Sequence, residues 1–104
     1  MKPMNRGRED FGLLNYKNKS IYIIGGYIRG FFKDGETKEV LEYELESQTV
    51  KYAPELNVAR SWPSVQVIKC KLFAFGGLME GDGKLNSMEI LDLKAQAPAW
   101  ELLQ

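Results

Sequence analysis

The 104 residues include one cysteine, 14 acidic and 14 basic side chains, and no histidine. That removes the commonest general base and metal ligand, and with them any Ser-His-Asp or Cys-His arrangement within the chain. Cys70 lies between Lys69 and Lys71, a setting that lowers a thiol pKa. Its place at the start of an apolar run nevertheless reads as a small packed thiol rather than a nucleophile. Gly83-Lys84 imitates the end of a phosphate-binding loop, but Leu78 stands where the first glycine belongs and Leu85 where a Ser or Thr belongs. Asp34-Gly35 and Asp82 do not open the alternating acidic series of a calcium loop. Asn18-Lys19-Ser20 fits the glycosylation sequon and reads as a turn. No catalytic residue, cofactor or metal is expected.

The remaining candidates bear on recognition. Arg8 and Arg60 precede equivalent apolar segments, where an arginine either offers its fork to an acidic partner or binds local carboxylate and backbone carbonyls. Tyr27, Arg29, Phe31, Phe32 and Lys33 gather aromatic and cationic groups in one loop, the composition of binding hot spots. Folding of Phe31 and Phe32 back over a neighbouring sheet is the competing reading. A second loop, with Met79, Glu80 and Asp82, is acidic and glycine-rich instead.

These loops must be carried by a repeat. Ile21-Tyr22-Ile23-Ile24-Gly25-Gly26 returns as Leu72-Phe73-Ala74-Phe75-Gly76-Gly77 at an offset of 51 residues. Upstream, Met4-Asn5-Arg6-Gly7-Arg8 aligns with Leu56-Asn57-Val58-Ala59-Arg60 at an offset of 52. Downstream, Val40 to Leu45 aligns with Met88 to Leu93, and Tyr52 with Trp100, at an offset of 48. The shortening falls in the loops after the glycines, 27–39 and 78–87, where length changes are tolerated.

On these residues the chain resembles the kelch-repeat family, whose units of about 50 residues form β-propeller blades. The motif is carried by Arg8, Gly25, Gly26, Tyr43 and Tyr52 in one copy, and by Arg60, Gly76, Gly77, Leu91, Asp92 and Trp100 in the other. Tyr52 stands in place of the usual Trp and Leu91 in place of the usual Tyr. The resemblance implies structural roles for all eleven, with Tyr52 and Trp100 packing between blades. It also implies an all-β fold of two four-stranded antiparallel blades, residues 1–55 and 56–104, in an incomplete ring.

Residue patterning points the same way. Both glycine-terminated runs are apolar at successive positions, as in strands covered on both faces. No window sustains a helical stripe, and Gly, Pro and Asn interrupt the chain too often for long helices. Strands are expected near 10–17, 20–26, 39–46, 50–54, 62–68, 71–77, 87–94 and 99–103. Propellers close with four to eight blades, so two require further blades of a longer chain or self-association, or else the chain is a truncated product.

Zero formal charge, with 44% apolar residues, carries no electrostatic footprint for nucleic acid. No apolar run approaches a membrane span and Met1 to Asp10 lacks the core of a signal peptide. A single cysteine suits a reducing compartment, and the cytoplasm is the expected location. The expected function is a protein-interaction module contacting partners through rim loops. Ubiquitin-ligase substrate receptors and actin-associated scaffolds are what the resemblance offers as parent proteins, and a fragment of a galactose-oxidase-like enzyme is the rival class.

Overall fold

The structure, a computed structural model, describes residues 7–29, 35–79, 81 and 83–103. Among them there are strands and turns and no helix. The first four-stranded sheet contains β2 (Gly12–Tyr16), β3 (Ser20–Ile24), β6 (Val40–Glu44) and β7 (Thr49–Ala53), antiparallel in the order β2-β3-β6-β7. The second contains β8 (Ser64–Ile68), β9 (Lys71–Phe75), β12 (Met88–Asp92) and β13 (Trp100–Leu103), in the order β8-β9-β12-β13. Each is a blade built by the same chain path. Five shorter strands stand outside the blades: β1 (Arg8–Glu9), β4 (Tyr27–Ile28), β5 (Gly35–Glu36), β10 (Leu78–Met79) and β11 (Gly83–Lys84).

The strands β3 and β9 end at Ile24 and Phe75, short of the double glycines. Gly25 and Gly26 have φ of 64° and 107°, and Gly76 and Gly77 of 68° and 98°, a left-handed backbone that leaves the ladder. At Gly25 the approach is as close as the conformation is unusual, because a Cβ there would lie 2.6 Å from the Arg60 carbonyl oxygen. The segments after the glycines, expected as irregular loops, instead pair with the chain entering each repeat. Glu9 faces Tyr27 across β1 and β4, and Ser61 bridges Leu78 at the matching place. β4 and β5, and β10 and β11, then close small hairpins.

The blades meet through one face of each. Leu14, Tyr22, Ile24 and Val40 from the first pack with Leu72, Ala74, Leu91 and Trp100 from the second, and Leu56 from the connecting segment completes the buried cluster. The register explains the selection: Leu14 lies opposite Tyr22, and Leu72 opposite Leu91, so each set lines one side of a pleated sheet. The opposite faces are uncovered, with Leu13 and Tyr52 58% and 61% exposed on one blade and Ile68 and Phe75 53% and 51% exposed on the other. The expectation of strands covered on both faces is therefore corrected to one, since each sheet has a single neighbour. By repeat position Phe75 is the counterpart of buried Ile24, and Leu13 the counterpart of Val65.

Ladder register also corrects the pairing of Tyr52 with Trp100. Trp100 faces Leu91, whose counterpart Tyr43 faces Val50, while Tyr52 faces Leu41. A longer connector before β13 displaces that strand by two residues against the 48-residue alignment. Trp100 is accordingly buried at 5% exposure, whereas Tyr52 lies on the face of the first blade that no second sheet covers here.

The closest approach between inner strands sits at Gly12, where an added Cβ would lie 2.5 Å from Val65 Cγ1. Gly12→Ala is expected to destabilise the fold by about 1–3 kcal/mol through overpacking. Val65→Ala in the same chain should return more than half of that loss, as read by urea denaturation.

Candidate functional site

The strongest polar cluster is buried between the repeats. Arg60, fully buried, donates from Nε to Glu89 Oε2 at 3.2 Å and pairs through Nη2 with the same oxygen at 3.1 Å. Its Nη1 donates to the carbonyls of Gly76 and Ser87 at 2.9 and 3.0 Å, and Nη2 donates to Ser87 Oγ at 2.7 Å. Glu89 in turn accepts from the backbone N–H groups of Asn57 and Val58 at 2.6 and 3.0 Å and from Asn57 Nδ2 at 3.1 Å. Asn57 Nδ2 also donates to the Trp100 carbonyl, and Trp100 Nε1 donates to the Pro54 carbonyl, both at 2.8 Å. The segment joining the blades is thus tied to the second blade by one carboxylate, one guanidinium, one side-chain amide and one indole N–H.

The first repeat solves the same problem with a different acid. Arg8 donates from Nη1 to the Gly25 carbonyl at 3.1 Å, the counterpart of the Gly76 contact. Its ion pair, at 2.6 Å, is with Glu39, which occupies the repeat position of Ser87. At the position of Glu89 the first blade has Leu41, fully buried. Sequence reasoning singled out both arginines and missed both acids. The signal for Glu89 lies in its own strand, because strict alternation puts it on the same side as inward-facing Leu91 and demands a buried cation.

The motif residues fall into three groups. Arg8, Arg60 and the four glycines come together at one end of the blades. Leu91 and Trp100 lie in the apolar cluster, while Tyr43 is half-buried on the opposite face of its sheet. Asp92 sits at the other end, where its carboxylate accepts from the Lys94 N–H at 3.0 Å. Of the rim residues, Tyr27 and Arg29 are together: the Arg29 guanidinium carbon is 5.8 Å from the Tyr27 ring centre, and Nε donates to Glu9 at 3.0 Å. Met79 is half-buried on the separate β10 hairpin. Phe31, Phe32, Lys33, Glu80 and Asp82 lie outside the described residues.

At the opposite end, Cys70 is half-buried in the β8 to β9 turn rather than packed in a strand. A hydrogen bond with the Tyr16 hydroxyl, helped by Lys17 and Lys94 and opposed by burial, holds its thiol below the ordinary range. The Lys17 ammonium lies 3.8 Å from the sulfur. Beside it opens a cleft of about 670 Å³ lined by Tyr16, Ser20, Tyr22, Glu42 and Leu93 among others. Burial, reinforced by the Glu42 charge, pushes Tyr22 up to about 12. Among the described residues no group of three or more Cys, Asp or Glu is placed to hold a metal.

Two stacked four-stranded blades, each with an arginine bound under a double-glycine turn, define a segment of a β-propeller repeat array. The comparisons agree. An F-box/kelch-repeat protein of Arabidopsis thaliana is 32% identical over 88 residues, covering 78% of this chain and 22% of that protein. Two others from the same plant, described as putative F-box/kelch-repeat proteins, are 35% and 37% identical over 77 and 81 residues. They cover 74% and 78% of this chain, which spans 25% and 19% of their lengths. No family model matches the chain. The chain belongs to the kelch-repeat family and carries two of its repeats.

Replacing Glu89 by Leu, the residue its counterpart already is, leaves Arg60 buried without its acid. It is expected to destabilise the chain by about 3–5 kcal/mol in denaturant melts. Adding Ser87→Glu rebuilds the first repeat's pairing and should recover at least about 1 kcal/mol of that loss. Tyr22 gives a pH signature. Its folded pKa is raised, so its contribution is complete below pH 10 and is lost as pH climbs from 10 towards 12. A fall of about 1–2 kcal/mol over that window is expected, and Tyr22→Phe should flatten most of it.

Proposed function

We propose that this chain is a protein-interaction segment of a kelch propeller, not an enzyme, which contacts partner proteins through the loops at the double-glycine rim. The observation that carries this reading is the rim itself. In each repeat the glycine turn sends the chain into a short hairpin stapled to the incoming segment, and an arginine beneath fixes the base. Tyr27 and Arg29, exposed or half-buried on the first hairpin, supply an aromatic and a guanidinium there. Rigid scaffolds with divergent loops are suited to irregular protein surfaces. The kinship with proteins named F-box/kelch-repeat supports the same reading and favours a substrate-receptor parent over an actin scaffold.

The repeat units are residues 1–55 and 56–104, and the ring is completed by further blades. The uncovered apolar faces carrying Leu13 and Tyr52 at one end and Phe75 and Ile68 at the other favour this, because blades are stable when both faces are covered. Those blades belong to a longer chain, of which this is a fragment; completion by self-association is the second reading. A discrete three-protomer species in light scattering would select that second reading. The cytoplasm is the proposed location, and no helix among the described residues is long and apolar enough to cross a membrane.

The test is capture of proteins from a cell lysate on the immobilised chain, wild type against Tyr27→Ala/Arg29→Glu. Specific partners should be retained at least about fivefold less by the double variant, the loss expected of hot-spot residues. An Asn18→Ala control at the opposite end should retain them. Equal capture by wild type and rim variant would refute the rim assignment.

A further inference from the structure

Asp10 and Trp62 occupy the same position in the two repeats, immediately before the innermost strands. Both hold a left-handed backbone, with φ of 57° and 56°. For a bulky aromatic this is an outlier, and Pro63 directly after Trp62 disfavours it further. The conformation is fixed by tertiary contacts on either side. The Trp62 N–H donates to the Asp10 carbonyl at 2.6 Å, bridging the two blades, and Ser61 exchanges backbone hydrogen bonds with Leu78 at 3.0 and 2.8 Å.

Within these two blades the constrained backbone does not bury the indole. Trp62 is 66% exposed, the most exposed of the large hydrophobic side chains among the described residues, and neighbouring Phe11 is 37% exposed. The other tryptophan, Trp100, is buried in the core. Asp10 is only partly exposed, and its carboxylate makes no hydrogen bond or ion pair with the described residues. Glu9 beside it is already matched by Arg29 at 3.0 Å. A bulky residue held in a strained conformation with its side chain exposed is a candidate functional position. Beside it Asp10, which tolerates the same backbone region, adds an unmatched carboxylate, and the pair defines a chemistry.

We infer that Asp10 and Trp62 form a receptor for a cationic side chain, arginine before lysine, on an extended segment of a partner protein. This rests on the protein-interaction reading and deepens it by giving the partner's charge and the point of contact. The backbone hydrogen bond sets the two residues side by side, so that one guanidinium can meet the carboxylate with one edge and the indole with its face. Tryptophan is the best aromatic for that stacking, and arginine the more frequent cation. Phe11 supplies apolar surface beside the site for the stem of the incoming side chain.

The probe is the peptide acetyl-Gly-Arg-Gly-Arg-Gly-amide, titrated into the full chain and read through the two indole N–H resonances, with the glutamate peptide of the same design as control. The Trp62 resonance should move and saturate with the arginine peptide while that of Trp100, bonded to the Pro54 carbonyl, stays in place. Asp10→Asn, which keeps a residue tolerant of the left-handed region, should weaken binding about three- to tenfold. Trp62→Gly, which lacks the reporting indole and is therefore followed through the backbone N–H of Phe11 alongside the wild type, should abolish saturation and, by relieving the backbone, raise the melting temperature. Equal response to the glutamate peptide, equal movement of Trp100, unchanged affinity of Asp10→Asn, or a lowered melting temperature for Trp62→Gly would each overturn the inference. Partner proteins that depend on Tyr27 and Arg29 but are retained by Asp10→Asn and Trp62→Gly would also overturn it, while leaving the interaction reading intact.

Discussion

The fold depends on satisfying a buried guanidinium. Arg60 is fully buried and shares its donors among Glu89, Ser87 and the Gly76 carbonyl. Removing a charge from water is expensive unless geometry and hydrogen bonds return the loss. Here the return is structural as well as energetic. The acceptors lie on two separated stretches of chain and the arginine on a third, so it can be satisfied only when the glycine turn, the start of β12 and the segment between the blades are all in place. Glu89 extends the constraint by taking the N–H groups of Asn57 and Val58, which no strand partner serves.

The same constraint explains the tolerance of the repeat to change. In one copy the acid is Glu39 and Leu41 fills the place of Glu89; in the other Ser87 and Glu89 exchange those duties. What persists is a guanidinium held under a left-handed glycine pair, with an acid reaching it from just before β6 or from within β12. The rim hairpins rise from that base, so a feature of the interior sets where the variable surface is displayed.

Much of this was legible in the chain because the information is local. Four apolar residues followed by two glycines specify a strand and its end, and the 51-residue echo specifies that the unit recurs. The offset of 48 also located β6 and β12 correctly, since both begin after a loop whose length can be counted. What escaped was set by partners distant in sequence. The true register of β13 depends on connector length, so Tyr52 was matched to Trp100 when the ladder matches Val50. Arg8 and Arg60 stood out by repetition, whereas Glu39 and Glu89 sit at different repeat positions and so left no echo. Asp10 and Trp62 share a position but not a residue type, and only the backbone conformation relates them.

The uncovered sheets at the two ends are not copies of each other. Phe75, Phe73 and Met88 occupy places that in the first blade are Ile24, Tyr22 and Val40, the surface that receives a neighbour, while Leu13 and Ile23 occupy the places of Val65 and Ala74, the surface that is received. The segment therefore has a polarity, like a tile with a tongue on one edge and a groove on the other. Any further blade must arrive in the same orientation as the last, turning by the same angle each time, and a twofold pairing of two identical ends would set tongue against tongue.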